Sequence, residues 1–179
     1  MGDILLIGGR PGVGKTTLIR RLADALGNRA GGFYTEEIRE SGDRTGFRLV
    51  TLRGRSAIFA HVDWAARMSD RVGRYGVDVS VLDRIGVKTI RQALRRRRVI
   101  LVDEIGKMEL LSSAFRTVLD EAVSGPMPLV AAITVAPHPW AETFKKRPRV
   151  TLHEITRGNR DRIFGVARAW LIERGVLQP

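Results

Sequence analysis

The sequence predicts a three-layer α/β fold: a mostly parallel central sheet covered by helices, with an antiparallel extension to that sheet. Three observations carry this. The apolar run Ile4-Leu5-Leu6-Ile7 leads into Gly9-Arg10-Pro11-Gly12-Val13-Gly14-Lys15-Thr16 and then into an amphipathic segment, a strand-loop-helix unit built on G-x-x-x-x-G-K-T. Apolar strand patterns alternate with helical ones through the second half of the chain. Between these two regions, residues 31–60 break the alternation and read as a meander of strands.

Taken in order, residues 4–7 are wholly apolar, as expected of a strand whose two faces are both covered. Leu18, Ile19, Leu22, Ala23 and Leu26 recur at helical spacing, and Gly27-Asn28 supplies the stop. Strands are expected over 31–38 and 45–52, joined by a polar turn, and again over 56–60 after Arg53-Gly54-Arg55. Residues 61–78 show no clean period; within them, 71–78 is expected to be a flexible basic loop able to lie over a bound nucleotide. A helix is expected near 87–95, followed by the apolar strand Val99-Ile100-Leu101-Val102-Asp103-Glu104, which ends in two carboxylates. Ser112 or Ser113 N-caps a helix running to about Val123, and Gly125-Pro126 ends it. A strand over 129–135, a short helix over 140–146 and a strand over 150–155 follow. Asn159 then opens a final helix with Ile163, Val166, Ala167, Trp170 and Leu171 on its apolar face.

A chain of 179 residues suits one domain spanning 1–179. The absence of cysteine excludes disulfides, a thiolate nucleophile and a Cys-based metal site, and fits the cytoplasm. No apolar stretch approaches the roughly 20 residues of a membrane span, and the start of the chain, with Asp3, lacks the basic region of a secretory signal. His61, His138 and His153 are scattered without metal-ligand spacing. The net charge of +12 favours anionic partners, either nucleotides or nucleic acid.

The glycine-rich loop explains itself chemically. Glycines let successive backbone N–H groups close around phosphates, and the following helix adds its positive end. Lys15 is expected to reach the β- and γ-phosphates and the Thr16 hydroxyl to bind Mg²⁺, with Thr17 next along the same turn. An apolar strand ending in Asp is the expected partner of such a loop. Asp103 is the second Mg²⁺ ligand, and Glu104 the candidate for orienting and deprotonating an attacking water. In Asp103-Glu104-Ile105-Gly106, Gly106 either offers its N–H to the γ-phosphate or permits a turn with positive φ. Lys107 either stabilises γ-phosphate charge or is solvated.

These motifs converge on a resemblance. The P-loop through Leu18 resembles that of the thermophile-type nucleoside triphosphatases, a family that includes the cancer-related nucleoside triphosphatase. So do Gly32-Phe33-Tyr34-Thr35-Glu36-Glu37-Ile38-Arg39, Arg44-Thr45-Gly46-Phe47-Arg48, Arg74-Tyr75-Gly76-Val77-Asp78-Val79, Val102 to Leu110, and Ile155-Thr156 with Asn159-Arg160-Asp161. The resemblance implies a RecA-like, additional-strand P-loop fold. It also implies slow, Mg²⁺-dependent hydrolysis of nucleoside triphosphates to diphosphates and phosphate, with loose base selectivity. In similar proteins a residue at the place of Asn159 touches the base; here it either does so or only N-caps the last helix. Arg160 either stacks on the base or is solvated.

Two other functions remain alternatives: a small nucleotide kinase, and a nucleic-acid-binding ATPase or switch module. The second is disfavoured, since the few aromatics form no stacking platform. Arg71 and Arg74 are candidates for an arginine finger, in cis or from a neighbouring subunit. Glu36 and Glu37 are expected to play supporting roles. The runs Arg95-Arg96-Arg97-Arg98 and Lys145-Lys146-Arg147-Pro148-Arg149 each precede a strand, which places the densest positive charge on the edge of the sheet away from the P-loop. Oligomeric state is not encoded in any of these features.

Overall fold

The computed structural model describes residues 2–178. Its strands are β1 (Ile4–Gly8), β2 (Ala30–Glu40), β3 (Asp43–Thr51), β4 (Ser56–His61), β5 (Arg71–Val72), β6 (Tyr75–Val77), β7 (Val99–Ile105), β8 (Leu129–Ile133) and β9 (Val150–Glu154). Its helices are α1 (Lys15–Leu26), α2 (Val79–Val81), α3 (Lys88–Arg95), α4 (Ser113–Ser124), α5 (Pro139–Lys145) and α6 (Arg160–Glu173). All nine strands join one sheet in the order β5-β6-β4-β3-β2-β7-β8-β1-β9. From β2 to β9 every pairing is parallel; from β2 outward to β5 every pairing is antiparallel. The strand β8 lies between β1 and β7, so the sheet has the additional strand that separates the P-loop strand from the carboxylate strand.

The central parallel strands β1, β7 and β8 are buried on both sides, and their side chains alternate between two cores, as the pleat requires. Leu5, Ile7, Val99, Leu101 and Val130 pack under α1 and α6 with Leu18, Ile19, Leu22, Ile163, Ala167 and Trp170. Ile4, Leu6, Ile100, Val102 and Ala131 face the other way, toward Ile90, Phe115, Val118, Leu119 and Phe144. Ser112 provides the N-cap of α4, accepting the Phe115 N–H at 2.9 Å.

Phe33 shows how this second core is closed. It is fully buried and lies 6.0 Å, centroid to centroid, from Phe115. Truncation to Ala removes a fully buried ring and leaves a cavity that the rigid sheet cannot collapse. Phe33→Ala is expected to lower unfolding stability by about 3–5 kcal/mol, read as a lower urea midpoint with an unchanged slope.

Two segments differ from the sequence expectation. Residues 71–78 do not form a flexible loop: β5 and β6 make a short hairpin that extends the sheet through β4. Its anchor is Tyr75, 7% exposed, edge-on to Phe47 with ring centroids 5.2 Å apart. Strands of two and three residues are too short to show a period of two. The helix expected from about 87 begins earlier. Asp78 caps α2 by accepting the Ser80 N–H at 3.0 Å, and a π-helical stretch, Leu82–Val87, carries the chain into α3. At Gly86 an added Cβ would lie 2.7 Å from Leu82 Cδ1 and 3.1 Å from Phe33 Cε1, so a side chain there would push both aside.

The strands β7 and β9 run parallel to β1. The basic runs 95–98 and 145–149 therefore precede strands that start on the edge opposite the P-loop, as their positions in the sequence predict.

Candidate active site

The loop after β1 turns through Gly12 and Gly14, at φ 74° and 110°, left-handed values that a side chain would strain. It delivers Lys15 to the first position of α1, where no side chain caps the free N–H groups. Lys15 is 8% exposed. Its Nζ donates to the carbonyls of Gly9 (2.8 Å) and Arg10 (3.2 Å) and lies 3.5 Å from Glu104 Oε2. Thr16 Oγ1 donates to Asp103 Oδ2 at 2.5 Å across the cleft. The two motifs expected to cooperate thus meet at the ends of β1 and β7.

Asp103 is 2% exposed. Burial pushes its carboxyl up to about 7, against the Thr16 hydroxyl, which lowers it; the neighbouring Glu104 charge adds to the rise. The Asp103–Glu104 peptide is cis.

Glu109 is the residue whose importance the sequence does not reveal. It sits in a 3₁₀ turn (Glu109–Leu111) and is 5% exposed. Burial first, then the Glu104 charge, raises its carboxyl to about 8. Its Oε2 accepts the Gly106 N–H at 3.2 Å. The Gly106 φ is not positive, which corrects the turn expected there, while its amide is held by Glu109 in this arrangement. The two carboxylates pack closely on this residue: a Cβ would lie 2.8 Å from Glu109 Oε2 and 2.9 Å from Glu104 Oε1 and would displace both side chains. The only signal in the sequence was a carboxylate set within the otherwise apolar Met108-Glu109-Leu110-Leu111.

A cleft of about 780 Å³ opens over these groups. Of the residues expected at the site, Pro11, Gly12, Gly14, Lys15, Thr16, Thr17, Asp103, Glu104 and Lys107 line it. Gly9 and Arg10 act from behind through their carbonyls, and the Val13 carbonyl accepts from Arg160 Nε at 2.8 Å. Ile105 is fully buried in the core. Asn159 is not among the lining residues. Its Oδ1 accepts the Thr156 N–H (2.7 Å), its Nδ2 donates to the Glu154 carbonyl (3.0 Å), and it makes no side-chain cap to α6.

The expected arginines are not the ones at the cleft. Arg71 donates to the Ala65 carbonyl and Arg74 to the Arg44 carbonyl. Arg20 and Arg44 line the cleft instead. Arg20 is 3.5 Å from Glu36, and Arg44 is 2.9 Å from Glu37 and 3.0 Å from the Tyr75 hydroxyl. Glu36 and Glu37 therefore hold arginines at the cleft wall, the supporting part expected of them. The pairing with Arg44 and Arg39 keeps the Glu37 carboxyl below its usual range despite partial burial.

A phosphate-cradling loop at the head of α1, carboxylates at the end of β7 and β8 between their strands define a P-loop NTPase fold. A family model described as NTPase matches residues 4–166, and the chain belongs to that family. It is 50% identical over 157 residues to the nucleoside-triphosphatase THEP1 of Thermotoga petrophila, covering 88% of this chain and 86% of the relative. It is 40% identical over 166 residues to the protein of that name from Aquifex aeolicus, with 88% and 92% covered. The crystal structure of THEP1 from Aquifex aeolicus superposes with a TM-score of 0.86 at 38% identity over 94% of this chain and 98% of that one. The solution structure of a human cancer-related nucleoside triphosphatase does so with a TM-score of 0.80 at 32% identity over 95% and 97%. No described helix is long and apolar enough to cross a membrane.

Proposed function

We propose that the protein hydrolyses nucleoside triphosphates to the diphosphate and phosphate, and that residues 1–179 form a single domain built for that reaction. The observation that carries this reading is the convergence of Lys15, Thr16, Asp103 and Glu104 on one strand edge. The P-loop amides and Lys15 hold the β- and γ-phosphates. Lys15 turns from Glu104 to the incoming anion, which frees the Glu104 carboxylate. Glu104 then orients a water and takes its proton as the water oxygen bonds to the γ-phosphorus. The bond from that phosphorus to the β–γ bridging oxygen breaks, and its electron pair leaves with the diphosphate. Lys107, exposed at the cleft rim, faces the departing phosphate.

The Thr16 hydroxyl and the Asp103 carboxylate, 2.5 Å apart, are hard oxygen donors that suit Mg²⁺, which takes one or two carboxylates and keeps several waters. Bound there, Mg²⁺ supplies positive charge to the phosphate oxygens. Asn159 lies outside the cleft lining with its amide bonded to its own loop, which supports loose base selectivity. The cytoplasm, where nucleoside triphosphates are supplied, is the compartment that suits this substrate.

The test is phosphate release from ATP, GTP, CTP and UTP, each with Mg²⁺ or EDTA. Release from all four at comparable efficiency, abolished by EDTA, is expected. Release from one base alone sinks the selectivity claim. Phosphate transfer that depends strictly on an added nucleoside monophosphate sinks hydrolysis itself.

A further inference from the structure

The two basic runs on the far edge of the sheet have different fates. In the second, Lys145 pairs with Glu142 (2.8 Å), Arg147 with Asp120 (2.7 Å) and Arg149 with Asp3 (2.5 Å). The first finds no such relief. Arg96 and Arg98 line a cleft of about 290 Å³ with Arg53 from the β3–β4 turn, and no carboxylate is among its lining residues. None of these three arginines forms an ion pair among the described residues.

The cleft has an ordered wall. Arg53 Nη1 donates to Asn28 Oδ1 (2.5 Å), and its Nη2 to the carbonyls of Asn28 and Ala30 (3.4 Å each). Thr89 and Gln92 of α3 add a hydroxyl and an amide. Arg98 is half-buried; burial and the charges of Arg53 and Arg96 hold its guanidinium below the usual range. The end of α3 accounts for only part of this. A helix C-terminus carries about half a negative charge, whereas three full positive charges converge here, one from a different hairpin.

We propose that this cleft is an anion site for a group of two or three linked phosphates, separate from the P-loop. The Arg96 and Arg98 guanidinium forks match phosphate oxygens bidentately, and Arg53, held by Asn28 and Ala30, adds a fixed positive charge. At roughly 30 Å³ per water, the cleft holds the volume of about ten waters, room for such a group but not for a folded polymer. No aromatic side chain lines it, so nothing stacks on a base and recognition is of phosphate alone. A free inorganic oligophosphate and the phosphate tail of a nucleotide share this chemistry.

The test uses the full chain carrying Lys15→Ala, in EDTA, to silence the P-loop. Inorganic tripolyphosphate is titrated calorimetrically, with a nucleoside triphosphate as a second arm to separate the two sources. One-site binding of tripolyphosphate is expected. Adding Arg98→Gln, or Arg96→Gln at the exposed helix end should folding suffer, weakens it about tenfold or more. Lys146→Gln, which removes one charge from the other basic run, leaves it unchanged. Tripolyphosphate binding with no nucleotide binding assigns the site to the inorganic anion, and binding of both assigns it to the shared phosphate tail; either result supports the site. Absence of tripolyphosphate binding overturns the proposal, as does equal weakening by all three substitutions. Binding of a single-stranded oligonucleotide with tripolyphosphate silent also overturns it, and makes the corner a nucleic-acid surface.

Discussion

Glu104→Gln is expected to lower kcat for phosphate release by about 10²–10⁴-fold, the range spanned by a positioned general base, with KM little changed. The Gln amide has the same shape and keeps an oxygen facing Lys15, which lies 3.5 Å from the native carboxylate. It cannot take a proton from water. An interaction made only in the transition state lowers kcat and kcat/KM together, and that pattern identifies a base. Lys15→Ala contrasts with it, since the lysine contributes to holding ground-state phosphates as well as developing charge. That variant is expected to lose both KM and kcat. Full turnover in Glu104→Gln, measured across the four nucleotides, removes the general-base assignment.

The second large effect is on stability. Metal-free protein is expected to become less stable as pH rises from about 4 to about 8. Glu109 has its carboxyl raised from 4.5 to about 8 and Asp103 from 3.8 to about 7. Between the unfolded and folded values the native state holds protons that the unfolded chain has released, so stability falls with pH there. Below the unfolded values the contribution is fully present; above the folded values it is lost. Asp3 and Glu37, whose carboxyls are lowered, act in the opposite sense, losing their contribution only in acid below the ordinary carboxylate range. Urea midpoints from about pH 5 to about pH 9 read the slope. Glu109→Gln should remove the upper part of it and leave the fall due to Asp103. A flat or rising profile in the native protein refutes the assignment.

What the sequence made legible was local or strongly patterned. The P-loop is a contiguous unit whose glycines, lysine and hydroxyl act within a few residues of one another. Asp103 and Glu104 were visible because they end a run of apolar strand. Arg20 and Arg44 were not, because they line the cleft only once α1 and the β2–β3 hairpin lie side by side, with Glu36 beside Arg20 and Glu37 beside Arg44. β2 must lie along β7 at Phe33 and continue past it before Glu36 and Glu37 can meet their arginines. Arg71 and Arg74 looked available because they belong to a hairpin too short to announce itself, whose folding brings them to the carbonyls of Ala65 and Arg44. Glu109 was hidden for a different reason. Its neighbours Gly106 and Glu104 were in plain view, but the turn that folds it back under them was not.

The β2–β3 hairpin walls both clefts. Gly31, Gly32 and Arg53 belong to the arginine cleft, while Glu37, Arg44 and Phe47 face the P-loop. The stretch of β2 from Gly32 to Glu37 is about 17 Å long at the usual rise of a strand. From Phe33 onward it is held in register by β3. Such a pair of strands acts as a short beam with a ligand at each end. If a ligand at one end shifts the balance at the other, linkage makes the traffic equal in both directions. Whatever factor an anion among the arginines applies to triphosphate affinity, a triphosphate on the P-loop must return to the anion.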